Sequence, residues 1–246
     1  MPLQLQERDI KILKFVYASR VASQGQILSR YFNGCHPTAA YSRLKKLRGE
    51  NLLTLKSTVV NDKSQEYLCI TDKGWELICN SWPFAIESPL LKSDSPAHDL
   101  RLNEIFFCFE RLKSFKSFIT ENLLQTSSTL KADIKFRDLS RLNADGALVL
   151  LGPDKRTYVY GIELELSKKS PERYQEKLKS YYLADGIDGV IYITGHQGIQ
   201  NSLAKVDSDL CKLRDSILYL GSEADVLKVN QKMYFRNAKM NGIELF

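Results

Sequence analysis

Three stretches near the start of the chain repeat apolar residues at helical spacing, and two that follow read as strands instead. In "LQERDIKILKFVYASR" Ile10, Leu13, Val16 and Tyr17 fall on one face, with charges on the other. "SQGQILSRYF" predicts a second, shorter helix with Ser23 as its N-cap. After the Asn33-Gly34 turn, Pro37 suits the first position of a third helix, "HPTAAYSRLKKLRGENLL". Leu44 and Leu47 point inward there, which leaves Thr38, Tyr41, Ser42, Arg43, Lys45, Lys46 and Arg48 on the outer surface. "LLTLKSTVV" and "QEYLCIT" then read as the strands of a hairpin around "NDKS", and "TDKGWELI" begins another helix.

Three helices followed by a hairpin is the order of a winged helix-turn-helix, predicted over residues 1–80. In that arrangement the third helix carries side chains to major-groove edges while its basic residues meet phosphates. Three amphipathic helices can also build a structural or dimerising module whose Lys and Arg are merely solvated. The basic cluster falls on the element that must face the groove, which favours double-stranded DNA as the partner. The next stretch, "NSWPFAIESPLLKSDSPAHD", has little periodicity and three prolines, and predicts a linker over 81–97.

Residues 98–246 follow a different rhythm. "SPAHDLRLNEIFFCFERLKSF" predicts a helix that buries Leu102, Ile105, Phe106 and Phe109, and "SFITENLLQ" a strand. "ADGALVLLGPDKRTYVYGIELELS" predicts two long strands joined at Gly-Pro-Asp-Lys. A helix over 171–184 has Ser170 as N-cap and Pro171 at its first position. A strand ("GVIYIT"), a helix ("QNSLAKVDSDLCKLR") and a strand ("SILYL") complete an α/β, or α+β, domain with a mixed sheet flanked by helices.

Within that hairpin, Glu163 and Glu165 stand two positions apart in an apolar run, so on a strand they share one face. A turn centred between Pro153 and Asp154 brings Asp145 to within a residue or two of Glu163 on the facing strand. Same-face neighbours on a strand are ~6.6 Å apart and cross-strand neighbours ~5 Å. Three carboxylates gathered among Leu148, Val149, Leu150, Ile162, Leu164 and Leu166 repel one another unless a cation holds them. A hard divalent ion such as Mg²⁺ or Mn²⁺ takes this kind of oxygen cage, so Asp145, Glu163 and Glu165 are candidate metal ligands. The competing reading leaves the two glutamates on an open face, neutralised by Lys168 and Lys169.

Charge and cysteine content sharpen this picture. Residues 1–80 carry 12 Lys/Arg against 7 Asp/Glu, while the other residues carry 23 against 22, so the net charge of +6 sits almost wholly in the first third. A polyanion partner is expected there. The five cysteines include no CxxC pair, so neither a disulfide framework nor a zinc site is indicated, and a reducing cytoplasm is expected. No apolar run is long enough to span a bilayer, and "MPLQLQERDIKI" has no signal-peptide core.

"NADGALVL" followed by "GIELELSKKS" resembles the core of the PD-(D/E)XK nuclease fold shared with type II restriction enzymes. The resemblance implies a restriction-endonuclease-like domain in which Asp145 is the first acid and Glu163 the second. The lysine of that pattern is Glu165 here, and Ala144 stands where the pattern has proline. Lys168 is the candidate substitute for the lysine, and Glu104 in "HDLRLNEIFF" the candidate helical acid, with Glu121 in "ITENLL" competing. Coupled to an N-terminal winged helix, with His98 and Leu100 opening the next helix and "SPERYQEKLKSYY" after the acids, the chain is similar to the replication-relaxation superfamily and MobC-type plasmid relaxases. That resemblance spans nearly the whole chain. It implies a metal-dependent endonuclease that nicks one strand at a plasmid transfer origin, with an accessory mobilisation protein as a possible further partner. The alternative is a DNA-binding regulator or replication-initiation accessory with a cleavage-dead nuclease fold.

Other chemistry is poorly provided for. Tyrosine-nucleophile relaxases hold their metal with clustered histidines, and His36, His98 and His196 are far apart in sequence. Tyr174, Leu178 and Tyr181 make one helical stripe of the kind that packs. His196, in "ITGHQG", reads as a local cap or hydrogen-bonding group. No glycine-rich phosphate loop is present, so ATP use is not indicated.

Overall fold

The computed structural model describes residues 3–60, 63–212, 215–228, 232–237 and 242–245. The chain is mixed α/β, with helices and a mixed sheet, and it divides into two compact units. Residues 1–104 with 126–128 form the first unit, and 105–125 with 129–246 the second. The division falls inside a helix at Glu104, so the stretch read as a linker, 81–97, is counted with the first unit.

The first unit begins with α1 (Glu7–Ala18), α2 (Gln24–Tyr31) and α3 (Pro37–Gly49). A hairpin of β1 (Leu53–Val60) and β2 (Lys63–Ile70) follows, then α4 (Asp72–Ile78). Two residues of the expected "NDKS" turn, 61 and 62, lie outside the described residues. Ser23 caps α2 as expected, accepting from the Gln26 amide while the Gln26 side chain accepts from the Ser23 amide. On α1 the buried stripe is Ile12, Leu13, Phe15, Val16 and Tyr17, with Ile10 only half-buried. The helix α5 (Pro96–Phe109) starts in this unit, where Asp99 takes a bidentate ion pair from Arg20 at 3.0 and 3.1 Å. Burial opposes ionisation of Asp99, but His98, Arg20 and Ser93 together hold its carboxyl below its ordinary value.

The second unit is built on seven strands in the order β3 (Phe115–Thr120), β4 (Gly146–Leu151), β5 (Thr157–Glu165), β6 (Gly189–Thr194), β7 (Leu218–Ser222), β8 (Met233–Arg236) and β9 (Gly242–Leu245). Strands β5, β6 and β7 run parallel and the remaining pairs antiparallel. The expected strand "SFITENLLQ" stops at Thr120. Its partner β4 begins opposite at Gly146, so no further ladder is on offer, and Glu121 opens α6 (Glu121–Thr126) with its amide on the Asp145 carbonyl. Two unanticipated helices, α7 (Ser128–Ala132) and α8 (Ile134–Arg141), then return the chain to β4. The expected helix at 171–184 is α9 (Pro171–Tyr182), capped by Ser170, and the next is α10 (Gln197–Leu210). The short α11 (Glu223–Lys228) follows β7.

One face of this sheet carries Ala147, Val149, Val159, Val190, Tyr192 and Leu218 beneath Leu139 of α8, Tyr174, Leu178 and Tyr181 of α9, and Ile199 and Leu203 of α10. The other face meets the end of α5, where Phe106 stacks on Phe118 at 4.9 Å and Phe109 approaches Phe235 at 6.5 Å. Strand parity therefore puts Glu163 and Glu165 on the α9 face, with Ile162 and Leu164 buried on the opposite one.

Candidate functional site

The register of β4 against β5 pairs Gly146 with Ile162, and its next step sets Asp145 opposite Glu163. Asp145 lies just beyond the end of β4, level with the Leu164 end of β5. Its carboxylate accepts from Leu164 N at 2.7 Å. Across β5, the parallel strand β6 places Tyr192 beside Glu163 and Thr194 beside Glu165. Asp145, Glu163 and Glu165 thus share one end and one face of the sheet.

Each glutamate has a basic neighbour. The Lys177 ammonium lies 3.1 Å from Glu163 Oε1, and it also donates to the carbonyls of Leu142 at 2.5 Å and Asn143 at 3.4 Å. Asn143 adopts positive φ, a conformation asparagine tolerates, and so turns the chain between α8 and Asp145. Lys169 lies 3.2 Å from Glu165 Oε1. The Tyr181 hydroxyl donates to Glu163 Oε1. Gly161 makes room for that ring, since a Cβ there would come within 2.8 Å of Leu139 Cδ2 and 3.1 Å of Tyr181 Cε1.

These groups open on a cleft of about 410 Å³, lined by both glutamates, Lys169, Arg173, Tyr174, Lys177 and Tyr192. Its floor is shielded from bulk solvent: the Glu163 side chain is 13% exposed and Tyr192 is buried. Burial and then the charge of Asp145 push the Glu163 carboxyl up to about 8, although Lys177 and Tyr181 pull it down. Burial, with the nearby carboxylates, also holds the hydroxyls of Tyr181 and Tyr192 well above the ordinary tyrosine value.

Oxygen donors of this type suit Mg²⁺ or Mn²⁺, and the raised Glu163 carboxyl reflects its burial first and the charge of Asp145 second. Two of the three acids are held by ammonium groups, and among the described residues no group of three or more His, Cys, Asp or Glu is already arranged as a cage. An ion bound here would therefore displace Lys177 and Lys169 from the carboxylates.

The remaining candidates are not among the residues that line this cleft. Lys168 is exposed beyond the end of β5, so the strand parity that would set its face does not reach it. Glu104 belongs to the first unit, where it accepts from Gln26 Nε2 at 2.7 Å. Glu121 is the first residue of α6, its amide bonded to Asp145 O. His196 is the exposed residue before α10, and its side chain makes no capping hydrogen bond. Lys177 and Tyr181 were not among the sequence candidates. Their signal was present: Lys177 lies on the Tyr174–Leu178–Tyr181 stripe, and a lysine on a buried stripe requires an acid opposite it.

On α3 the exposed face carries Thr38, Tyr41, Ser42, Lys45, Lys46 and Arg48. Arg43, expected among them, is an exception. Its guanidinium turns onto Asp9 of α1, with Nε 2.9 Å from Oδ1, and donates to the Gln4 carbonyl at 2.8 Å. Asp9 is fully buried and also caps α1, so it needs this cation to be tolerated there. No family model, curated protein or solved structure matches the chain.

Proposed function

We propose that the chain is a metal-dependent DNA endonuclease of the PD-(D/E)XK kind, in which an N-terminal winged helix-turn-helix selects a duplex site and the second unit nicks one strand, as a relaxase does at a plasmid transfer origin. The observation that carries this reading is the register that sets Asp145 beside Glu163, with the Lys177 ammonium 3.1 Å from the second acid.

Asp145, Glu163 and Glu165 are the residues that would hold Mg²⁺ or Mn²⁺, and such an ion supplies Lewis-acid polarisation of a phosphodiester oxygen and a more acidic bound water. Lys177 fills the role of the lysine that the pattern has at position 165. Anchored on two backbone carbonyls, its ammonium stays in the cleft when the carboxylate turns to another partner, and it is then placed to stabilise negative charge on the phosphate. Tyr181 fixes the orientation of the Glu163 carboxylate through its hydroxyl. Arg173 and Lys169 on the cleft wall, with Lys168 outside it, supply donors for neighbouring phosphates. In the first unit, Lys45, Lys46 and Arg48 on the exposed face of α3 suit duplex phosphates, and Thr38, Tyr41 and Ser42 suit base edges.

The test is incubation of supercoiled DNA carrying the cognate site with Mg²⁺ or Mn²⁺, with and without EDTA. Nicking that depends on the metal, disappears in Asp145→Ala and falls about 100-fold in Lys177→Ala is expected. A second reading is favoured by the pairing of Glu163 with Lys177 and Glu165 with Lys169, which satisfies the acids without an ion. On that reading the chain is a DNA-binding regulator, or a replication-initiation accessory, with a cleavage-dead fold. Site-specific binding without nicking, and a melting temperature indifferent to Mn²⁺, would favour the regulator.

A further inference from the structure

A second cleft opens on the same face of the sheet. Pairing carries a single row of residues across five strands: Asp145 just beyond β4, Glu163 on β5, Tyr192 on β6, Leu220 on β7 and Arg236 on β8. At a strand spacing of about 4.8 Å, Arg236 lies roughly 14 Å from Glu163 along this row. Arg236 and Leu220 line a cavity of about 510 Å³ walled by the first turns of α10.

Its chemistry differs from that of the acid cleft. Asp225 and Arg236 both line it, yet no ion pair joins their side chains among the described residues. Gln200 and Asn201 add carboxamides, and Asn201 is oriented by a hydrogen bond from Gln197 at 3.0 Å. Tyr234 is 64% exposed, and its hydroxyl is tied to Glu244 at 2.8 Å, which fixes the ring at the cavity wall. The cavity therefore combines an acceptor-only group, a forked donor, adaptable amides and an anchored aromatic ring.

Resting on the second unit engaging a DNA strand, we propose that this cavity receives an unpaired guanine base of the strand that lies in the acid cleft. Guanine presents two adjacent donors, N1–H and the 2-amino group, which match a carboxylate, and two adjacent acceptors, O6 and N7, which match a guanidinium fork. Asp225 accepts from the former and Arg236 donates to the latter, while the ring of Tyr234 offers a stacking surface. The donors of guanine are occupied in a duplex, so the base enters only when unpaired. Adenine offers no acceptor pair to Arg236, and the pyrimidines lack N7.

The test uses the full chain in EDTA, so that binding is read without cleavage. Fluorescence anisotropy compares a labelled oligothymidine of roughly 12 nucleotides with the same strand carrying one central guanine. Guanine is expected to tighten binding about 10-fold. That preference should shrink when inosine, which lacks the 2-amino group, replaces guanine, and vanish in Asp225→Ala and Arg236→Ala. Binding of oligothymidine by both variants, with unchanged circular dichroism, reports that they are folded. Equal affinity for the two strands, or a guanine preference that survives both substitutions, overturns the assignment of this cavity and leaves the nuclease reading intact. Failure to bind any oligonucleotide overturns strand engagement by the second unit, and this proposal with it.

Discussion

Removing the charge of Glu163 while keeping its shape is expected to stabilise the metal-free protein at alkaline pH. Burial and the charge of Asp145 raise this carboxyl from 4.5 to about 8. Between those values the folded chain keeps a proton that the unfolded chain has released, so stability falls as pH rises through that window. At about 1.4 kcal/mol per pH unit, the full loss across the window is on the order of 5 kcal/mol. The side chain is only 13% exposed, so solvent screening removes little of it. Glu163→Gln cannot ionise and loses this slope, while its amide oxygen can still accept from Tyr181. In EDTA, thermal melts followed by circular dichroism should show wild type and variant nearly equal around pH 5. Near pH 8.5 the variant should melt higher by on the order of 10 °C. Every other titrating group is present in both proteins, so the difference reports position 163 together with the groups coupled to its charge. A gap that is constant with pH, or a variant that melts lower at alkaline pH, would refute the claim that burial and the charge of Asp145 raise the Glu163 carboxyl.

Substituting Arg43 should act on stability rather than on DNA. Arg43→Ala leaves Asp9 buried without its cation and should cost about 3 kcal/mol, read as a lower urea midpoint. Lys45→Ala and Arg48→Ala should leave that midpoint unchanged and flatten the salt dependence of duplex binding by about one counterion each. Gly161→Ala should destabilise by about 1–3 kcal/mol and displace Tyr181, seen as a lower apparent pKa of that tyrosine in an ultraviolet titration. Asp99, held below its ordinary 3.8, contributes stability above that value and loses it as pH falls through its lowered folded value. Asp99→Asn should therefore lower the melting temperature at pH 7 and have little effect in strong acid.

Local signals made the site hairpin legible, and tertiary ones hid its completion. Gly152, Pro153 and Asp154 announced the turn, but Lys155 adopts positive φ, and the loop before Thr157 shifts the pairing one residue from a turn centred at Pro153-Asp154. That shift moves Asp145 from beside Ile162 to a position opposite Glu163. Ser23, Ser170 and Pro171 marked helix starts because capping is decided within a few residues. Arg43 misled because its direction depends on a buried acid from another helix, which periodicity does not encode. The strand through Glu121 misled for a related reason: its apolar run continues, but its partner strand does not. Lys177 was visible as a charge on an apolar stripe, and its acid partner could be named only once α9 lay across β5.

The anchoring of Lys177 bears on which substitutions the loop before β4 can accept. The ammonium is steadied by the carbonyls of Leu142 and Asn143, groups that any amino acid brings with it. Saturation mutagenesis at Leu142 should therefore leave the lysine in place across varied side chains. Position 143 should be restricted to residues at ease with a left-handed backbone, asparagine, aspartate or glycine, because there it is the path of the main chain that must be inherited.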